Sequence, residues 1–354
     1  MPAYYARPGR PRSGGRLARS PQLAAGLAAR LTARDRWLLR MLHEHRVLTT
    51  AQVTQLAFGT TRAATARLAT LYEHRAVDRF RPLAPAGSSP LHFVLDEAGA
   101  LLLAEEDGIT ASELGYRRDR AMAVALSQRL GHDTGANGVF TSLAAAARAS
   151  GGRAALERWW GERRCAAIWG DVARPDGYGR WAERQPGQPA AAVDFFLEYD
   201  TGTEPLTRVV AKLAGYAALA ARTGITTPVL FWLPSARREA ALHRRLAGPP
   251  PRGIRNAASA AQVPGVPVAT ATAAASPEGP AGAAWLPAGS PGPRLRLAQL
   301  ASPAAPSASG PAGGGPDGWE VARPPGLPWY PPRPHPPAWN ALTGDPVPGQ
   351  GEDD

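Results

Sequence analysis

Residues 190–216 read AAAVDFFLEYDTGTEPLTRVVAKLAGY. This is a strand, a tight polar turn and a helix in succession. The strand ends in two carboxylates, Glu198 and Asp200. Strand side chains alternate faces, so these two project from one side, shared with Phe196, while Leu197 takes the other. The helix carries Lys212, the one lysine of the chain. Upstream stands Pro175-Asp176, at a neighbouring strand.

Working outward, HDTGANGVFTSLAAAARAS is helical from about Gly135, with Val139, Leu143 and Ala146 inward. RAALERWWGER reads as a short strand, followed by a loop holding Cys165, and VARPDGYGRWAER as a second strand. After the central stretch come a fully buried strand, TPVLFWLP, and a helix, SARREAALHRRLAG. The order α-β-β-β-α-β-α over residues 132–247 predicts a mixed sheet with helices on both faces.

Residues 32–105 have a different texture. ARDRWLLRMLHEHR puts Trp37, Leu38, Met41 and Leu42 on one helical stripe. LTTAQVTQLAF starts at a Thr cap and turns Val53 and Leu56 inward. Thr60-Thr61 caps a third helix with Ala64, Leu68, Leu71 and Tyr72 on its inner stripe. VDRFRPL and LHFVLD make a hairpin around PAGSSP, and a helix from Glu97 closes the unit. Three short helices and a hairpin predict a winged helix-turn-helix. Its third helix would meet a major groove with Thr61, Arg62 and Thr65, and Arg79 and Arg81 on the wing would meet phosphate. Such domains also serve as dimerisation or protein-docking modules, so a homodimer is a second use. Residues 106–131 are read as a linking helix.

The flanks are low in core-forming residues. Residues 1–31 form a basic, Arg/Gly/Pro-rich arm with no acid, expected to be disordered. Residues 248–354 are Pro, Ala, Gly and Ser with scattered Trp, also expected to be disordered. Within them, WEVARPPGLPWYPPRPHPPAWN favours an extended polyproline conformation whose aromatics would dock a protein partner.

Charge narrows the partners. The net charge is +11 and the pI about 10.7 over 354 residues. Such a balance favours a polyanion, double-stranded DNA first. Of 40 Lys+Arg only one is Lys, which suggests a role that a wide guanidinium fork would not fill. One cysteine rules out an intrachain disulfide and a cysteine zinc site. No run approaches the roughly 18 apolar residues of a membrane span, and a cytoplasmic location is expected. No GK[ST] phosphate loop and no Ser elbow motif stands out.

Asp176, Glu198 and Asp200, brought together, would repel one another unless a cation neutralised them. Oxygen-only ligation suits Mg²⁺ or Mn²⁺. Such an ion would polarise a phosphodiester and activate water, with Lys212 stabilising developing charge. The same residues also suit a solvated helix entry, with Thr203 as cap and Pro205 in the first turn.

The segments RPDGYG, FFLEYDTGTEPLTRVVAKLAGYAAL and PVLFWLP resemble the actinobacterial replication-relaxation family, over roughly residues 32–247. The resemblance implies an α/β (α+β) chain: a winged helix-turn-helix followed by a PD-(D/E)XK nuclease-like mixed-sheet domain, and a role in plasmid or integrative-element replication and DNA topology. It makes Pro175-Asp176 the PD element and Glu198 the second acid. Asp200 stands where the family's lysine is usual, so Lys212 would supply the amine from a migrated position. His132 and Asn137 also match a family pattern and would contact substrate or the metal's surroundings. Two outcomes follow: a protein that nicks or cleaves DNA with a divalent metal, or a non-catalytic replication, copy-control or transcription factor on a degenerate nuclease fold.

Overall fold

The structure, a computed structural model, describes residues 7–8, 26–83, 87–187, 189–248 and 266–300. Most of the basic arm and the Pro-rich aromatic segment at 319–340 lie outside these residues. The chain forms two compact units that divide after Asn137.

The first unit begins with α1 (Ala33–His45), set by a capping box between Thr32 and Asp35. A short strand β2 (Leu48–Thr49) leads into α2 (Thr50–Ala57), which is boxed in the same way by Thr49 and Gln52. α3 (Thr61–Glu73) starts at Thr60, whose Oγ1 accepts the Ala63 N–H, and buries the expected Ala64, Leu68, Leu71 and Tyr72. β3 (Val77–Arg81) and β4 (His92–Leu95) pair antiparallel, with β2 along the far edge of β4. A two-residue strand, β1 (Arg7–Pro8), lies along β3. α4 (Glu97–Glu106) is capped by Asp96. α1 and α3 are joined at Asp35, which is fully buried and takes Arg67 Nε at 2.9 Å. The linking segment is only partly helical: α5 (Arg118–Ala123) gives way to a 3₁₀ turn at Val124–Leu126.

α6 (Leu130–Ala149) starts before the expected Gly135. In the second unit it buries Val139 and Leu143, and the stripe continues at Ala147, not Ala146. The six-stranded sheet has the order β10-β9-β8-β7-β6-β5. β5 (Ala154–Gly161), β6 (Gly177–Glu183) and β7 (Ala191–Tyr199) are antiparallel neighbours. β7, β8 (Val229–Leu233) and β9 (Val268–Thr272) run parallel. α8 (Leu206–Thr223) and α9 (Ala236–Ala247) make the two crossovers. One sheet face packs on α8 and α9 through Phe196, Val209, Leu213, Phe231 and Leu242. On the other face Phe140 of α6 stacks on Trp159 and Phe195, at 5.1 and 5.7 Å between ring centroids.

The glycines of RPDGYG make that stacking possible. A Cβ on Gly177 would sit 2.6 Å from Phe140 Cε2, and one on Gly179 would sit 2.5 Å from Phe195 Cζ. The bare strand lets both rings lie on it.

Two expectations are corrected here. The segment holding Cys165 is a helix, α7 (Glu162–Trp169), not a loop; it buries Cys165 and Trp169 against Trp160 and Tyr178. The domain also does not end at Ala247. Residues 266–300 add β9, the short antiparallel β10 (Leu286–Pro287) and a 3₁₀ turn at Leu297–Leu300. Arg294 and Arg296 fasten this extension. Arg294 Nη2 lies 2.5 Å from Glu239 Oε2 on α9, and Arg296 Nε lies 2.8 Å from Glu183 Oε1 on β6.

Candidate functional site

β7 and the residue just after it carry three acids on one side, and each has its own cation. Near its start, Asp194 accepts Arg180 Nη1 at 2.9 Å and the Tyr178 hydroxyl at 2.6 Å. Near its end, Glu198 is 2 % exposed. Lys212 Nζ donates to its Oε2 at 2.7 Å, and the Tyr216 hydroxyl donates to its Oε1 at 2.5 Å. Lys212 and Tyr216 lie one turn apart on α8, which is why a single helix face closes over both carboxylate oxygens.

Asp176 is pinned beside this group. Its N–H donates to Leu197 O at 3.0 Å, and its Oδ2 accepts the Tyr199 N–H at 2.8 Å. The charge of Asp176 is felt by both Glu198 and Lys212. Burial, reinforced by the negative charge of Asp176, pushes the Glu198 carboxyl up to about 7, against the opposing pull of Lys212. Burial works against the Lys212 ammonium, but Glu198 and Asp176 outweigh it and hold its pKa above the ordinary lysine value. Burial and the adjoining Glu198 also raise the Tyr216 hydroxyl.

Asp200 does not join the set. Arg238 of α9 grips both its oxygens, Nε to Oδ2 at 2.6 Å and Nη2 to Oδ1 at 3.1 Å. The Gly202 N–H adds a third bond to Oδ1 at 2.6 Å, closing a turn in which Gly202 has φ +84°. Arg238 also donates to Glu204 O at 2.6 Å, tying the turn to α9. Thr203 does not cap α8; the N-cap is Pro205, and Thr203 Oγ1 lies 2.9 Å from Thr201 Oγ1.

The three-carboxylate pocket expected for Mg²⁺ or Mn²⁺ is thus not formed. Among the described residues no group of three His, Cys, Asp or Glu side chains is gathered to hold a metal ion. Glu198 offers a divalent ion two oxygens that already serve an ammonium and a phenol, and Asp200 is neutralised by a guanidinium. The donor set does not fit the cation. Sequence patterning gives no role to Tyr216 or Arg238. Tyr216 did leave a signal, being four residues from Lys212, whereas nothing in SARREAA marks the second arginine as the partner of Asp200.

His132 and Asn137 belong to the first unit. Asn137 is buried, and its Nδ2 donates to the backbone oxygens of His45 at 3.2 Å and Val47 at 2.9 Å. It fastens the chain after α1. His132 Nδ1 lies 3.7 Å from Asp133 Oδ1.

The second candidate surface is the outer side of α3. Thr61, Arg62 and Thr65 are exposed there, as expected. Arg79 is half-buried, with its guanidinium 4.1 Å over the Tyr72 ring. Arg81 is exposed and donates to Ser88 Oγ. Arg67, on the same helix, is committed to Asp35 instead.

Comparison with protein families matches residues 39–230 to replication-relaxation. The chain belongs to the replication-relaxation family. Membership points to a role in the replication or relaxation of plasmids or mobile elements. Comparison with curated proteins and with solved structures gives no match. The family match ends within β8, so α9 and the extension at 266–300 lie beyond it. No described helix is long and apolar enough to cross a membrane.

Proposed function

We propose that this replication-relaxation protein binds double-stranded DNA in the cytoplasm and that its second unit is a nuclease-like fold kept for binding. On this reading the first unit is a winged helix-turn-helix. α3 enters the major groove with Thr61, Arg62 and Thr65, while Arg79 and Arg81 on the hairpin reach flanking phosphates. Supporting it are the exposed Arg62 and Arg81 and the chain's net charge of +11.

The observation that carries the non-catalytic part is the closure of Glu198, 2 % exposed with one donor on each oxygen. A metal-dependent phosphodiesterase needs carboxylate oxygens open to the ion. Here both oxygens are already held by Lys212 and Tyr216. The test is a plasmid nicking assay in Mg²⁺ and in Mn²⁺, run on wild type, Asp176→Ala and Glu198→Ala. The expected result is no metal-dependent nicking by any of the three. Nicking by wild type that both substitutions abolish would overturn the reading.

That second outcome is the rival reading, in which Asp176, Glu198 and Lys212 form a nuclease centre. The meeting of those residues favours it. The capture of Asp200 by Arg238 and the shielding of Glu198 weigh against it.

A further inference from the structure

The basic side chains of α8 and α9 divide into two groups. Lys212 and Arg238 turn inward to Glu198 and Asp200. Arg208, Arg222, Arg237, Arg244 and Arg245 are exposed. The two helices contain a single carboxylate, Glu239, and it is buried against Arg294 at 2.5 Å. The nearest acid at the entry of α8, Glu204, is 3.9 Å from Arg208 and 3.9 Å from Lys212. Apart from Arg208, which meets Glu204, the exposed arginines of the pair have no carboxylate on either helix to match them.

The layout of this outer face suits an extended polyanion. Arg237 and Arg244 are seven residues apart, about two helical turns, so they share a stripe about 10 Å long. Arg208 and Arg222 are fourteen apart and fall within about 40° of one another over about 21 Å. α8 and α9 follow consecutive parallel strands, so they run in the same direction beside each other. Between the arginines the exposed positions are short: Ala211, Ala214, Ala221 and Ala240. A phosphate backbone can approach such a surface closely. A folded protein partner or a bilayer would require apolar anchors. The exposed large hydrophobic residues, Leu83 and Leu126 among the described residues, lie on neither helix.

We propose that the outer face of α8 and α9 is a second DNA-contacting surface, binding the phosphate backbone of duplex DNA without reading its sequence. The proposal rests on the DNA-binding reading above and adds a site in the second unit. It gives the nuclease-like fold a task that needs no metal.

The test uses the full chain and a fluorescently labelled 30-base-pair duplex, with affinity measured across a salt series. Wild type is compared with Arg237→Ala/Arg244→Ala/Arg245→Ala, with the same three changed to Lys, and with Arg153→Ala/Arg184→Ala, two exposed arginines elsewhere on the unit. Circular dichroism checks the fold of each. Each lost phosphate contact lowers the slope of log affinity against log salt by about 0.9. The alanine triple is expected to bind roughly tenfold more weakly at ~0.1 M salt, with a slope shallower by about 2 to 3, on any duplex sequence. The lysine triple keeps most of the slope, and the Arg153/Arg184 pair behaves as wild type. An alanine triple with wild-type affinity and slope overturns the proposal. So does an equal loss in the Arg153/Arg184 pair. If Arg62→Ala/Arg79→Ala abolishes binding while the alanine triple does nothing, this surface fails and the α3 reading stands. If wild type binds no duplex, both fail.

Discussion

The outer side of α3 and the end of β7 treat charge in opposite ways. On α3, Arg62 projects into water, and the arginine that turns inward, Arg67, is spent on Asp35. At the end of β7, Glu198 and Asp200 are each closed by a dedicated cation. An exposed charge interacts weakly with its own fold and remains available to a partner. A closed one stabilises the fold only while its partner is present, and losing that partner is costly. The two regions should therefore answer substitution differently: closed charges in stability, open charges in binding.

The largest effect is expected at the Arg294–Glu239 pair. Arg294→Ala leaves Glu239, 4 % exposed, without its guanidinium. The expected loss is about 4 kcal/mol, read from the urea midpoint. A change under about 1 kcal/mol would show that the extension at 266–300 is not held by this pair.

The next concerns proton linkage at Glu198. Its pKa is raised to about 7 in the fold, so the folded chain keeps a proton that the unfolded chain releases above about 4.5. The resulting stability is fully present below about 4.5 and is lost as pH rises through about 7. The difference between wild type and Glu198→Gln should therefore change by up to about 3 kcal/mol across that window and stay flat above it. A difference independent of pH would contradict the burial of Glu198 beside Asp176.

A smaller effect is expected for Tyr216→Phe, which removes the donor to Glu198 Oε1 and nothing else of size. About 2 kcal/mol should be lost, and the Glu198 carboxyl should rise further. Arg62→Ala sits at the other end of the scale. Its stability should stay within about 0.5 kcal/mol of wild type while duplex binding weakens. If Arg62→Ala destabilised the fold as Tyr216→Phe does, the contrast between the two regions would collapse.

Much of the first unit could be read from residue order because its signals are local. Thr49 with Gln52 and the 64-68-71-72 stripe each act within one turn or two. The strand and helix at 190–216 were legible for the same reason. What was missed depends on distant neighbours. α7 has Gly161 as its N-cap, with no side-chain cap bond, and only eight residues, so nothing local marks it as a helix. β9 is VATAT, set among Pro-, Ala- and Gly-rich sequence, and it becomes a strand through β8 on one side and β10 on the other. Its buried Thr270 is satisfied by donating to Glu239 Oε1 at 2.7 Å, so it accepts from the His243 Nε2–H at 2.8 Å. Composition suggested a tail; tertiary partners made it a sheet edge. The candidate site divides along the same line. Asp176 follows from the Pro-Asp pair and Lys212 from its uniqueness. Asp200 shares a strand face with Glu198 by parity, yet an arginine 38 positions away claims it. Parity predicts direction and does not predict the partner.

The central claim is that the acids at the end of β7 are neutralised from within. Calorimetric titration of Mn²⁺ into the full chain tests it most directly, with Asp176→Asn alongside. The account predicts no saturable binding at sub-millimolar concentration in either protein. One Mn²⁺ bound per chain in wild type, and lost in Asp176→Asn, would contradict it.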